Sequence, residues 1–404
     1  MITTILRAPQ TRRLIWVFLL IPLSPLRAAP YVSPWGFRVD LPPGYQIQGG
    51  AGDMGVSFRN PQGAVFEIRV APGTDPEKYL ESVLSRLGSG NEIESFMYHS
   101  RKAVLAELAF SLGTASPVRR SAYRGWGLCL DRGDGLLLAL AYGPAGDRGL
   151  DILHLSCLDS IVPTRAEEHY YGPVTEFAWP RGPLREISLF NTQIKALFSE
   201  GDAEAAQGLV DREFQVLRFF EKGPQWQEAW RRFYRMIYRD SWERIAHAAF
   251  LLERSWAAET LPLETAVLNE QDSAASGGIA RAVSPELRLA ARALSYVQDF
   301  KYERNLIGSD FVNLVSALTE GRGDCDSRAL LWALILAQAN IGAGIMVSRD
   351  YSHAMGIADI EGRGARFPLA GKQYLVAETT TKVDPGLIAQ NMSEIPKWMG
   401  IVFE

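Results

Sequence analysis

The stretch from Gly321 to Leu336, Gly-Arg-Gly-Asp-Cys-Asp-Ser-Arg followed by Ala-Leu-Leu-Trp-Ala-Leu-Ile-Leu, constrains this chain more than any other. Glycines and acids that favour turns and caps give way at Cys325 to good helix formers, with apolar residues at helical spacing. The pattern predicts a helix that starts at Cys325, takes Asp324 as its N-cap and stops at Asn340-Ile341-Gly342. A thiol at a helix start faces unpaired N–H groups and the positive end of the helix dipole, and both favour the thiolate. The neighbouring Asp324 and Asp326 oppose it, because one negative charge disfavours a second. A dipole is worth about 0.5–2 kcal/mol, roughly one pKa unit, so a nucleophile built here needs a cationic partner as well.

Downstream residues offer that partner. In Tyr351-Ser352-His353-Ala354-Met355-Gly356-Ile357-Ala358 a histidine opens a short strand-like run, and Tyr374-Leu375-Val376-Ala377-Glu378-Thr379-Thr380 reads as a second strand ending in a carboxylate. The intervals of 28 and 25 residues leave room for a helix and a strand, then for a strand and a hairpin loop. Adjacent strands would set His353 and Glu378 side by side.

This order, Gly-Asp-Cys at a helix start, His at a strand start and an acid at the end of the next strand, resembles the transglutaminase-like superfamily, whose fold is papain-like. Tyr296-Val297-Gln298-Asp299-Phe300-Lys301-Tyr302 is similar to the Val-Gln-x-x-x-Tyr found upstream of the cysteine in bacterial members. The resemblance covers about Ser284 to the C-terminus, under a third of the chain. It implies Cys325 as nucleophile, His353 as general base and Glu378 as the group that orients the imidazole. The family more often has Asp in the third place; Asp384, in Val383-Asp384-Pro385-Gly386, is a second candidate for it. An oxyanion would need donors, for which the backbone N–H of Cys325 and the side-chain amide of Gln298 are the candidates. Asp324, Asp326 and Glu378 could be read as a cation site, but adjacent side chains at a helix start diverge and no loop of oxygen ligands is evident. No metal or cofactor is called for.

The rest of the chain predicts an α+β multidomain protein. Residues 1–29 read as a secretory signal: Arg7, Arg12 and Arg13 precede an apolar run from Leu14 to Leu26, too short for a typical membrane span. Residues 30–165 read as an antiparallel sheet with helices. A hairpin is expected around Asn60-Pro61-Gln62-Gly63, a helix capped by Asp75 with Pro76 at its first position, three further strands, and a helix from Leu150 to Ile161. The Leu-Pro-Pro-Gly-Tyr opening and the closing helix resemble the small α/β sandwiches of the PsbP-like type. Residues 166–283 read as a helical region with linkers: Tyr170 to Pro183 as a linker, Glu186 to Trp256 as helical with Ile187, Leu189, Phe190, Ile194 and Leu197 on one face, and Leu261 to Ala282 as a connector. The aromatic residues from Trp226 to Tyr238 are expected in a core. Residues 284–404 form the expected catalytic domain, opened by Ser284-Pro285-Glu286.

Charge and cysteines narrow the function. Removing residues 1–28 takes the formal charge from −4 to −8, a poor match to nucleic acid or anionic membrane. Of three cysteines, Cys129 and Cys157 could pair in an oxidising compartment or remain buried thiols; either way Cys325 is the thiol with chemistry around it. His99 and His154 lack metal-ligand spacing and read as structural. The expectation is a periplasmic or secreted thiol enzyme acting on an amide bond in a protein, peptide or cell-wall peptide, with no membrane span after signal cleavage. The rival is a non-catalytic module that keeps the fold to bind peptides.

Overall fold

The computed structural model describes residues 30–89, 92–113, 120–258, 283–304 and 308–403. The expected signal and the expected connector from Leu261 to Ala282 lie outside them.

The N-terminal unit follows from central strands that bury both faces. After a small ladder of β1 (Tyr31–Val32) and β2 (Arg38–Val39) come β3 (Gln46–Gly50), β4 (Gly55–Arg59), β5 (Val65–Ala71), α1 (Pro76–Leu87), β6 (Ile93–Tyr98), β7 (Arg101–Gly113), β8 (Arg120–Asp131), β9 (Leu136–Pro144) and α2 (Leu150–Asp159). The larger strands form one antiparallel sheet in the order β3-β4-β5-β9-β8-β7-β6. The hairpin around Asn60 forms as expected: its side-chain oxygen accepts from Ala64 N at 2.8 Å. So does α1, with Asp75 as cap and a left-handed Gly88 as stop. Neighbouring residues of β8 and β9 point to opposite cores. Cys129, Leu136 and Leu138 pack with Leu80 and Leu84 of α1, while Leu128, Leu130 and Leu137 pack with Cys157 and Leu158 of α2. A sheet covered on both faces leaves little of the polar alternation that marks a half-exposed strand.

Two expectations for the middle of the chain are corrected. The segment taken for a linker carries α3 (Pro173–Ala178), started by Pro173 at its first position, and Tyr170, Tyr171 and Val174 are buried against the sheet. Its glycines and prolines punctuate a packed segment. The residues taken for the first turns of a helix instead form a hairpin, β10 (Leu184–Ser188) and β11 (Lys195–Ser199), turning through Asn191 at φ 50°. The alternation in β11, with Ala196 and Phe198 buried and Leu197 exposed, was masked by apolar spacing that also fits a helix. Helices follow as expected: α4 (Asp202–Phe220) and the 33-residue α5 (Trp226–Ala258).

The C-terminal part comprises α6 (Pro285–Gln298), β12 (Lys301–Tyr302), α7 (Leu314–Glu320), β13 (Arg322–Gly323), α8 (Cys325–Gln338), β14 (Ala343–Ser348), β15 (His353–Ala358), β16 (Arg366–Leu369), β17 (Lys372–Ala377) and β18 (Met399–Val402). A five-stranded antiparallel sheet, ordered β16-β17-β15-β14-β18, lies against α8. One apolar core runs from Leu189 and Phe198 through Phe233 and Ile237 of α5 to Leu330, Leu334, Ile345 and Ile401. The middle helices and the C-terminal sheet therefore share a core. The whole is α+β, and among the described residues no helix is long and apolar enough to cross a membrane.

Candidate active site

Cys325 is the first residue of α8. Asp324 caps the helix, accepting from Ser327 N at 2.8 Å and from Ser327 Oγ at 2.6 Å. The preceding turn is fixed by Gly321 at φ 64°, where a Cβ would come within 2.2 Å of the Phe190 ring, so only glycine fits. Behind the cysteine, α8 is held against the sheet by Trp332, whose indole N–H donates to Ala290 O at 2.9 Å and whose ring lies where a Cβ on Gly356 would sit.

That packing lays β15 across the start of α8. His353 begins β15, and the following backbone N–H, from Ala354, is hydrogen bonded to the Cys325 sulfur. Glu378 follows directly after β17, which pairs with β15 through Gly356 and Ala377. His353 Nε2 and Glu378 Oε2 are 2.8 Å apart. The other carboxylate oxygen accepts from Thr380 N at 2.8 Å and Thr380 Oγ1 at 2.6 Å. Burial pushes the Glu378 carboxyl up, but His353 and the Thr380 donors outweigh it and hold the group below its ordinary value. Asp384 is not in this pairing; Glu378 is the acid at the imidazole.

The surroundings of the sulfur are less favourable to charge. Cys325 is 6% exposed, and burial, Asp326 and Asp324 push its thiol well above the ordinary value, against the Ala354 N–H and the Tyr302 hydroxyl, which hold it down. The thiol donates to Asp326 Oδ1 at 3.8 Å, and donor atoms of Asp324, Cys325 and Asp326 all lie within 4.8 Å of one another. Burial, then Asp326, pushes the Asp324 carboxyl far up; burial also raises Asp326, which is hydrogen bonded to the Tyr234 hydroxyl of α5. Asp324 is thus occupied as a cap and Glu378 as the histidine's partner, so the cation set Asp324, Asp326 and Glu378 is not gathered as one site.

Gln298 is placed differently from the expectation. Its amide nitrogen donates to Glu378 O at 2.8 Å and to Val383 O at 2.9 Å, which engages the protons an oxyanion would require. It pins the segment after β17. The side-chain donor beside the sulfur is Tyr302, brought there by the parallel pairing of β12 with β13, Tyr302 opposite Gly323. Burial and the nearby thiol push its hydroxyl up to about 12, so it remains a donor. Tyr302 closes the Val-Gln-x-x-x-Tyr pattern and could have been marked from the sequence. Tyr234 could not, because it looks like any other aromatic residue of a long helix.

A cavity of about 300 Å³ opens onto Cys325, Asp326 and His353. Phe214 of α4 and Trp230, Phe233 and Tyr234 of α5 line it, together with Arg304, Asp310 and Arg349. The aromatic stretch is core, as expected, and also lines the site. Cys129 and Cys157 are free, belong to different cores, and have thiols pushed by burial to about 12.

No family model matches the chain, and no curated protein matches it. A solved structure from Bacteroides thetaiotaomicron VPI-5482 matches with 12% identity and a TM-score of 0.26, covering 53% of this chain and 78% of that one. A likeness that slight carries no argument about fold or activity.

Proposed function

We propose that this chain is an exported, cysteine-dependent amide-bond hydrolase or acyl transferase of the transglutaminase-like kind, built on a papain-like core at its C-terminal end. The observation that carries the reading is the His353–Glu378 pair at 2.8 Å, whose histidine lines one cavity with a cysteine at the first position of a helix. Export rests on the N-terminal arginines and apolar run.

With Nε2 held by Glu378, Nδ1 of His353 is the nitrogen left to act on the thiol. The resting sulfur is a thiol, since burial and two acids disfavour its charge. His353 takes the proton as sulfur attacks the amide carbonyl, and the imidazolium formed is stabilised by Glu378. The C–N bond breaks, the leaving amine takes the proton from His353, and an acyl thioester remains on Cys325. Water, or an amine in the transferase case, gives its proton to His353 as it attacks the thioester; the C–S bond breaks, the acyl group leaves, and His353 returns the proton to the Cys325 sulfur. The Cys325 N–H at the helix start and the Tyr302 hydroxyl are the donors nearest the developing oxyanion.

Peptide amides incubated with the protein should acylate Cys325, seen as an added mass on its peptide, with release of ammonia or amine. Cys325→Ala should abolish both, and His353→Ala should cut the rate by about 10²–10⁴-fold. A second reading, a peptide-binding module without turnover, is favoured by the burial of Cys325 and its raised thiol. Peptide retention without acylation, and alkylation of Cys325 indifferent to His353→Ala, would replace the first reading by the second.

A further inference from the structure

Arg328 lies one turn beyond Cys325 on α8, is 2% exposed, and has no carboxylate among the described residues within ion-pair distance. A guanidinium carries five donors in a rigid fork, and burying one without a matching acid is costly unless its protons are used. Here they are used on backbone. Nε donates to Gly323 O at 3.1 Å, Nη2 to Phe300 O at 2.5 Å and Nη1 to Thr379 O at 3.5 Å, while the guanidinium carbon stands 5.5 Å from the centre of the Tyr302 ring.

The three carbonyls belong to the three segments that make the site. Gly323 is two residues before Cys325, Phe300 two before Tyr302, and Thr379 one after Glu378. The fork therefore ties the nucleophile, the tyrosine hydroxyl and the acid to one rigid group. Because the carbonyls are neutral, they do not cancel the positive charge, whose field reaches Tyr302, Asp324, Cys325 and Glu378. In a poorly screened interior such a charge acts over more than one contact.

We propose that Arg328 is the positioning residue of this site, holding its three segments in register through their carbonyls while its charge offsets part of the opposition that Asp324 and Asp326 set against the thiolate form of Cys325. This rests on the proposed function for its purpose, but the effect is read on the thiol itself. The groups facing that thiol are Asp324 and Asp326 from the start of α8, Tyr302 from β12, Arg304 beyond it, and the Ala354 N–H from β15. His353 lines the same cavity, and Tyr234 of α5 bonds to Asp326.

The test is the pH dependence of Cys325 alkylation by iodoacetamide in the full chain, followed on the Cys325 peptide by mass spectrometry, for the wild type, Arg328→Gln and Arg328→Lys. Arg328→Gln should raise the midpoint by at least one pH unit, an about tenfold loss of labelling rate below it. Arg328→Lys keeps the charge without the fork; its midpoint should stay near that of the wild type while acylation by peptide amides slows about tenfold or more. A folded Arg328→Gln with the wild-type midpoint overturns the proposal. If Arg328→Gln does not fold, Arg328→Lys decides: a midpoint raised by a unit or more despite the retained charge overturns it. Absence of acylation in the wild type defeats the proposed function alone, since the shift between variants is measured without substrate.

Discussion

The molecule contains two buried polar clusters that are built in opposite ways. Between the N-terminal unit and the middle helices, charges are matched closely. Glu213 receives Arg212 Nε at 3.2 Å, Arg232 Nη1 at 2.5 Å and Ser156 Oγ at 2.9 Å; Asp159 receives Arg212 and the Thr175 hydroxyl; Arg244 holds Asp240 and Asp202. Arg235 pairs with Asp40; Arg239 departs from this pattern, donating to the backbone carbonyls of Asp159, Tyr170 and Ile161 instead of to an acid. Around Cys325 the matching fails: two acids crowd a thiol, and the buried cation nearby has no acid of its own among the described residues. Matched charges fix a geometry and leave little reactivity, whereas unmatched ones keep energy available for a change of protonation.

The contrast can be broken most forcefully at Arg232, which joins Glu213, Ser156 and the Asp40 carbonyl. Arg232→Met should cost about 3–5 kcal/mol in urea unfolding, and adding Glu213→Leu should recover part of it. A cost under about 1 kcal/mol would mean that the matched network is not what holds the two regions together.

A buried group lacking that compensation sharpens the comparison. His154 is 1% exposed, and burial, with Arg124 adding to it, pushes its ring down to about 4 from 6.5. The folded state holds the ring neutral while the unfolded chain takes a proton below about 6.5. Its contribution is therefore complete above that pH and is lost as pH falls from about 6.5 towards 4, by about 3 kcal/mol in all. His154→Leu should flatten that part of the profile of melting temperature against pH. An unchanged acid limb would show that His154 is not its source.

The smallest effect is expected at Glu378. Glu378→Gln removes the charge and leaves one acceptor oxygen where His353 and Thr380 use two, and should lower turnover of peptide amides about 10–100-fold with stability within about 2 kcal/mol of the wild type. A loss of stability like that of Arg232→Met would place the two clusters in one class.

Sequence reading reached the parts of the site that local rules control. The start of α8 was legible because caps, turn residues and apolar period agree at Asp324 and Cys325. The nearness of His353 to Glu378 was legible because strands bring their neighbours together. Arg328 was not, since on paper an arginine in a helix reads as a solvated face and only the converging carbonyls of Gly323, Phe300 and Thr379 reveal its place. Gln298 was assigned a role through resemblance, and its two carbonyl partners lie 80 and 85 residues away. The hairpin of β10 and β11 was missed because short apolar runs satisfy a strand period and a helix period alike, and β11 is settled by its packing on α5.

Helix α5 gives Arg232, Arg235 and Arg239 to the N-terminal unit and Phe233, Tyr234 and Ile237 to the core around Cys325, all within eight residues. For anyone engineering the protein, this means that the last third is not a portable cassette. Cutting before residue 284 would strip the apolar side of α8 and remove the Tyr234 hydroxyl from Asp326. Cutting before α4 would leave α5 displaying three arginines shaped for a neighbour that is gone. The chemistry is inherited with its scaffold or not at all.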